Sequence, residues 1–490
     1  MLFNSIEFAL FLPVVFLIYW FAVNNNLKHQ NLLLLVASYI FYSWWDWRFL
    51  LLLVVISLMN YFIGLNIGNN IKQKKGKLWL IAGLIINFCI LGFFKYYNFF
   101  IDSFIDLFSL LGYDLSRSTT RIIIPLGISF YIFLSLSYIL DIYKENFQAE
   151  KNIINVLLSL SFFPIILAGP IQRPSSLIPQ ISSKRVFHYN LAADGLRQIL
   201  WGLFVKIAVA DNLAFHSDNI FKNFSDYSSG TLLLGALYYT IQIYADFSGY
   251  SNIAIGTGKL FGFNLMQNFA YPYFSRDIAL FWKRWHISLT TWFRDYLFLP
   301  VSFSVSGKLK KDKVGFLPAN IFIYIVASLI TWFLTGLWHG ANYTFIIWGM
   351  IHGFFLIVYQ WQKGPRKRYF KKIGLSNNNI IIVAIETILT LTIVVFTWII
   401  FRSDNISNSL EYIHKLISFS SGSVSQELPR TGILMSLLFL FGEFLQRNKQ
   451  HALDIGNLKN GILRWSIYTG IIFIILFFGG GSQKFIYFQF

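Results

Sequence analysis

The chain of 490 residues contains one cysteine, Cys89, which excludes an internal disulfide and any metal site built from several thiolates. Cys89 lies within an apolar run, where a free thiol packs as a small hydrophobe. Acidic residues are scarce: 22 Asp and Glu stand against 40 Lys and Arg, a formal net charge of +18. The excess is concentrated in short loops between apolar runs, so a positive-inside bias accounts for it and nucleic acid is excluded as a partner. Long polar stretches are missing as well. The longest, near 101–121, 171–190, 211–230, 301–318 and 402–430, fall short of domain length, so any chemistry belongs to the helical core. There is no His-Glu-x-x-His helix, no Walker lysine loop, no Gly-x-Ser-x-Gly elbow and no cysteine ligand set. Metal-dependent and nucleotide-hydrolysing chemistry drop out with them. Neither a basic leader nor a small-residue cleavage site flanks the first run, from Phe8, which therefore reads as a retained span. No strong internal repeat is visible, which argues against a transporter of the inverted-repeat type.

What the chain has in abundance is apolar surface: 56% hydrophobic and 19% aromatic residues, with a mean hydropathy of +0.57. Apolar runs lie near 6–22, 31–45, 49–66, 78–100, 122–143, 191–212, 231–256, 320–337, 343–361, 379–401, 431–446 and 463–479. Most approach the ~20 residues that cross a bilayer as helix, and about twelve passes are implied. Lipid supplies no partners for backbone amides and strand alternation is absent, so the runs must be helical. The predicted fold is all-α and polytopic, one integral membrane domain over 1–490. Basic clusters at Lys72–Lys77, Lys308–Lys313, Lys363–Lys372 and Arg447–Arg464, with Lys310, Lys311, Lys367 and Lys371 among them, are expected to face the cytoplasm. Even numbers of spans then separate the clusters, and both ends of the chain lie outside.

That count requires two segments not to cross. Phe163-Pro164 and Gly169-Pro170 interrupt the run 152–170, which predicts a re-entrant segment. In 276–294, Arg276, Lys283 and Arg294 fall on one line of a continuous helix and Phe281, Trp285 and Trp292 on the other, the pattern of an in-plane amphipathic helix. His286 falls on the flank between these faces. The most informative stretch is Trp338-His339-Gly340-Ala341-Asn342, a polar turn between two long apolar runs. Imidazole and carboxamide groups at membrane depth are costly unless paired, so they mark a cavity or a reaction. His286, His339 and His352 all lie on or near apolar segments, and a histidine is the natural proton acceptor for activating a hydroxyl.

The stretches Phe281-Trp282-Lys283-Arg284-Trp285-His286-Ile287-Ser288, Trp292-Phe293-Arg294-Asp295-Tyr296, Gly336-Leu337-Trp338-His339-Gly340-Ala341 and Trp348-Gly349-Met350-Ile351-His352-Gly353, in this order and spacing, resemble the membrane-bound O-acyltransferase family. Pro125–Tyr131, Ala168–Ile171 and Ala245–Ser251 extend the likeness over nearly the whole chain, closest to the bacterial branch that acetylates alginate and peptidoglycan. The resemblance implies helices around a central tunnel, acetyl-CoA as donor from the cytoplasm and an acceptor from outside. It assigns His339 as general base or transient acyl carrier, and His286 to orientation or thioester polarisation. Arg276, Lys283, Arg294, Trp285 and Asn342 are the residues expected to contact coenzyme A; the basic stripe could equally hold anionic lipid headgroups. Asp246, Ser248 and Tyr250 match a polar stretch of the family, whereas Asn252 replaces an aspartate of many relatives and so lacks the charge for an ion pair.

The aromatic motif Phe485-Ile486-Tyr487-Phe488-Gln489-Phe490 is expected to dock at the outer tunnel mouth, by resemblance to a tyrosine-centred motif of these transferases. Tyr487 then accepts the acetyl group, or the motif serves as an interfacial anchor. The reading is an acetyl-CoA-dependent O-acetyltransferase of a bacterial inner membrane. It has no resident cofactor or metal, and it works with an SGNH-hydrolase-like partner on an extracytoplasmic polysaccharide. A transporter or flippase, or a scaffold for glycan assembly, would share its polar spans.

Overall fold

The computed structural model describes residues 1–113, 115, 121–309, 312–372, 379–423, 429–481, 483, 485 and 486. Lys310, Lys311, Tyr487 and the residues after it lie outside the described residues, as do the side chains of Lys367 and Lys371. The chain forms two compact units interleaved in sequence: Met1–Gly202 with Tyr250–Met266, and Leu203–Gly249 with Gln267–Phe490.

The first unit contains α1 (Ile6–Leu17), α2 (Leu27–Ser43), α3 (Trp47–Asn69), α4 (Lys74–Leu91), α5 (Tyr97–Leu110), α6 (Ile128–Tyr143), α7 (Ile153–Ser161), α8 (Pro174–Ser182) and most of α9 (Tyr189–Leu203). Helix starts follow polar caps: Asn26 accepts from the Lys28 and His29 amides, Asp46 from Arg48 and Asn152 from Ile154. Helix α6 is buried almost throughout and packs against α3 and α4. Asn60 and Asn87, both buried, exchange carboxamide hydrogen bonds between α3 and α4, the pairing that keeps polar groups affordable among apolar helices. Asn252 accepts from Gln198 at 2.9 Å, an amide pair where the residue type ruled out an ion pair.

The second unit contains α10 (Asp211–Lys222), the first part of α11 (Ser229–Leu260), the short α12 (Ile278–Arg284) and α13 (Ile287–Phe293), then α14 (Leu299–Lys308), α15 (Ala319–His339), α16 (Tyr343–Lys372), α17 (Ile380–Arg402), α18 (Ile406–Ile417), α19 (Arg430–Leu445) and α20 (Gly461–Phe478). Its only strands among the described residues are β1 (Lys313–Val314) and β2 (Leu317–Pro318), a two-residue antiparallel ladder. The all-α expectation holds. Helices α17 and α20 leave Ile388, Leu389, Leu476 and Phe477 exposed, a surface that only hydrocarbon accommodates.

Among the described residues, seven helices are long and apolar enough to cross a membrane, against the twelve or so runs expected, and shorter apolar helices account for others. The differences have local causes. The run 78–100 continues through α5 as one helix, Lys74–Leu110, absorbing much of the stretch read as polar. Helix α6 begins only after Gly127, whose φ of +73° ends the extended approach. Helix α19 has 16 residues and carries Glu443. Helix α7 stops after nine residues, before Phe162 and Pro164, which agrees with the expected interruption.

Candidate active site

The hairpin α15–α16 presents the polar turn. Gly336 and Gly349 meet where the two helices cross: a Cβ on Gly349 would lie 2.3 Å from the Trp332 carbonyl oxygen, and one on Gly336 2.4 Å from that of Phe345. The lack of side chains there lets the backbones touch. Helix α15 ends at His339, Gly340 is extended, and the Asn342 oxygen caps α16 by accepting from the Thr344 amide at 3.1 Å. The Asn342 nitrogen donates to the Asp404 carbonyl at 2.7 Å, tying the turn to the end of α17. The Trp348 indole lies edge-on to both His339 and His352, with centroids 5.0 and 4.9 Å away. Both imidazoles are buried. The Trp282 indole N–H donates to His352 Nδ1 at 3.2 Å, so that imidazole carries its proton on Nε2.

His286 reaches the same cluster from a break in the chain. The continuous helix expected over 276–294 is divided into α12 and α13, each of seven residues, because Trp285 is extended and His286 has φ +43°. The cause is remote in sequence: residues 268–270 run alongside the break, Ala270 donating to the Arg284 carbonyl and Ile287 to that of Asn268, both at 2.9 Å. These bonds satisfy backbone groups that a helix would have paired internally. Arg276, Lys283 and Arg294 therefore do not form one helical line, which corrects the stripe read from the sequence. A non-glycine residue held at positive φ marks a position that its surroundings dictate.

The His286 side chain explains what is dictated. Its Nδ1 lies 2.9 Å from Asn268 Oδ1, which also accepts from Ser288 Oγ at 2.9 Å. The shared oxygen is an acceptor, so Nδ1 is the donor and Nε2 carries the lone pair. Burial pushes the pKa of His286 down from 6.5 to about 3, which keeps the ring neutral. Phe247 lies edge-on to it at 4.6 Å and Trp338 at 5.9 Å. Trp338 is in turn 5.0 Å from His339. The structure thus joins His286, His339 and His352 through Trp338 and Trp348 within one unit, with Phe401 closing against His339 at 5.3 Å. Buried imidazoles walled by indoles are an arrangement that keeps water away from ring nitrogens able to exchange a proton.

The remaining sequence candidates are placed variously. Lys283 and Arg294 are exposed and Arg276 is half-buried; Arg294 pairs with Asp295 at 2.7 Å. Trp285 is fully buried against Tyr244, Phe269, Phe281 and Trp398. Asp246 is buried and pairs with Lys206 at 2.7 Å. Sequence reasoning missed Asn268, Ser288 and Lys206. The proximity of Ser288 to His286 in the chain was a signal for the second, and the charges Lys206 and Asp211, five residues apart in an apolar run, for the third; Asn268 carries none, since its partner is 18 residues away.

The model of the MBOAT, membrane-bound O-acyltransferase family, matches residues 148–401, which contain all three histidines. The chain belongs to this family. It is 38% identical over 435 residues to the probable alginate O-acetylase AlgI of Pseudomonas syringae, covering 88% of this chain and 78% of that protein. It is 33% identical over 455 residues to the peptidoglycan O-acetyltransferase of Helicobacter pylori, covering 86% and 81%. Over 251 residues it is 30% identical to the teichoic acid D-alanyltransferase of Bacillus subtilis, covering 50% and 61%. The protein is a multi-pass membrane O-acyltransferase.

Proposed function

We propose that this O-acyltransferase takes acetyl from cytoplasmic acetyl-CoA and passes it across a bacterial inner membrane for attachment to an extracytoplasmic polysaccharide, alginate-like or peptidoglycan. The observation that carries this reading is the buried His286–Trp338–His339 array. One imidazole there is held neutral, and the other ends a membrane helix beside a polar turn. The names of the alginate and peptidoglycan relatives support the acetyl group and the polymer class.

His339 acts as the base. It takes the proton of the acceptor hydroxyl as the oxygen attacks the thioester carbonyl; a C–O bond forms, the C–S bond breaks, and the proton passes to the departing thiolate. Neutral His286 orients the thioester. Arg276, Lys283 and Arg294 supply cations for the coenzyme phosphates, while buried Trp285 and hydrogen-bonded Asn342 support the site from behind. Tyr487 is the first acceptor and hands acetyl to an SGNH-hydrolase-like partner that modifies the polymer. Thioester-to-ester exchange is downhill, so excluding water and aligning a base suffice.

Mass spectrometry of envelope glycans from cells with the native chain, or with His339→Ala at equal expression, tests the reading. Acetyl esters on a polysaccharide that vanish with His339 support it; unchanged esters overturn it.

A further inference from the structure

Asp246 belongs to a motif that the catalytic cluster does not use, and its surroundings indicate another task. Lys206 Nζ lies 2.7 Å from Asp211 Oδ1 and 2.7 Å from Asp246 Oδ1, all three side chains being at most 6% exposed. Further bonds leave this cluster for main chain of one segment. Lys206 Nζ donates to the Gln483 carbonyl at 3.3 Å, and Asp246 Oδ2 accepts from the Ile486 amide at 2.7 Å. The approach to that segment is fixed likewise: Asn212 Nδ2 donates to the Phe478 carbonyl at 2.8 Å, and the Gly480 amide to the Ile207 carbonyl at 3.0 Å. The Phe485 ring then packs on Phe247 at 6.0 Å, and Phe247 is the ring that lies edge-on to His286.

Apolar residues of similar volume would serve stability at least as well as a buried ionic cluster. What charges add is direction. A cation that holds one carbonyl and a carboxylate that holds one amide three residues later fix the register and polarity of a strand of chain, which apolar contact leaves free to slide.

We propose that Lys206, Asp211 and Asp246 form a main-chain clamp that holds Gln483 and Ile486 and so sets the register in which the chain enters the aromatic motif. Lys206 and Asp246 are positioning residues. The inference rests on the proposed relay through Tyr487 for its consequence, but the clamp itself has its own readout.

The test uses the full chain in nanodiscs with acetyl-CoA, as native protein and as Lys206→Met and Ile486→Pro. The second variant removes the Ile486 amide proton that Asp246 accepts and leaves the ionic cluster intact. Hydrogen exchange of the peptide after Gly479 reports the clamp, and the ratio of acetylated Tyr487 peptide to free acetate reports positioning. Both variants are expected to raise exchange and to lower the ratio by on the order of tenfold to a hundredfold, the usual effect of a small misplacement. A variant that merely misfolds lowers both products together and leaves the ratio unmoved. Native-like exchange in Ile486→Pro, or an unchanged ratio with the segment released, overturns the proposal. A native protein that never acetylates Tyr487 removes the relay, while the exchange arm still decides the clamp.

Discussion

The carboxamide oxygen of Asn268 accepts from His286 Nδ1 at 2.9 Å. That bond sets the tautomer of a fully buried imidazole, and the same oxygen holds Ser288. Asn268→Leu removes the acceptor from both. Loss of such an orienting partner is expected to lower acyl transfer about 10- to 100-fold, with about 1–3 kcal/mol of destabilisation from the buried hydrogen bonds removed. Initial rates and thermal unfolding of the purified variant check both figures; native-like rates would show that the tautomer is irrelevant.

The burial of His286 gives a pH dependence with a definite sign. Its folded pKa, about 3, lies below its ordinary 6.5, so the unfolded chain binds the proton more readily. The resulting stability is complete above pH 6.5 and is lost as pH falls from 6.5 towards 3, with a slope of up to about 1.4 kcal/mol per pH unit. Denaturation of detergent-solubilised protein across that window should show a shallower slope for His286→Gln than for the native chain. An identical slope in both would contradict a neutral buried imidazole.

The contact of α15 with α16 supplies one half of a matched pair of helix substitutions. Gly349→Ala places a methyl group against the Trp332 carbonyl, whereas a Cβ on Gly470 in α20 meets nothing within 4 Å. The first is expected to cost about 1–3 kcal/mol by overpacking and to depress activity through His339. The second should be neutral or stabilising by up to about 1 kcal/mol, as replacing a helical glycine by alanine usually is. Parallel melting curves and rates decide this; equal effects would mean that the helices do not meet at Gly349.

Trp282 donates its indole proton to His352. Trp282→Phe keeps most of the packing and deletes the donor, so a cost of about 1–3 kcal/mol follows from the buried acceptor left alone. Transfer by the folded fraction should fall less than in His339→Ala, since His352 supports the cluster rather than touching the acyl group. A loss as complete as that of His339→Ala, with stability unchanged, would instead move His352 into the chemistry.

Which parts of this were legible in the chain follows from how far each cause lies in sequence. The apolar runs, the Trp338–Asn342 turn and the interruption before Pro164 have local causes, and the structure contains them in place. The break at Trp285 and His286 does not: seven-residue helices form because residues 268–270 pair with the chain there, and periodicity read over 276–294 takes no account of a neighbouring segment. Lys206 and Asp211 stood together in an apolar run, and only folding brings Asp246 to them. Several apolar runs form helices shorter than a crossing span, because hydrophobicity alone does not show where a helix ends. Gly127 shortens α6, and α7 stops at Ser161.

The central claim is that His339, held in an aromatic cluster with His286, is the base for acyl transfer. Its most direct test is acetyl transfer from labelled acetyl-CoA by the purified protein in nanodiscs, native against His339→Ala, with folding verified by thermal unfolding. The account predicts labelled oxygen ester with the native chain and a loss of at least about 100-fold in the variant. Equal rates in the two proteins would contradict it.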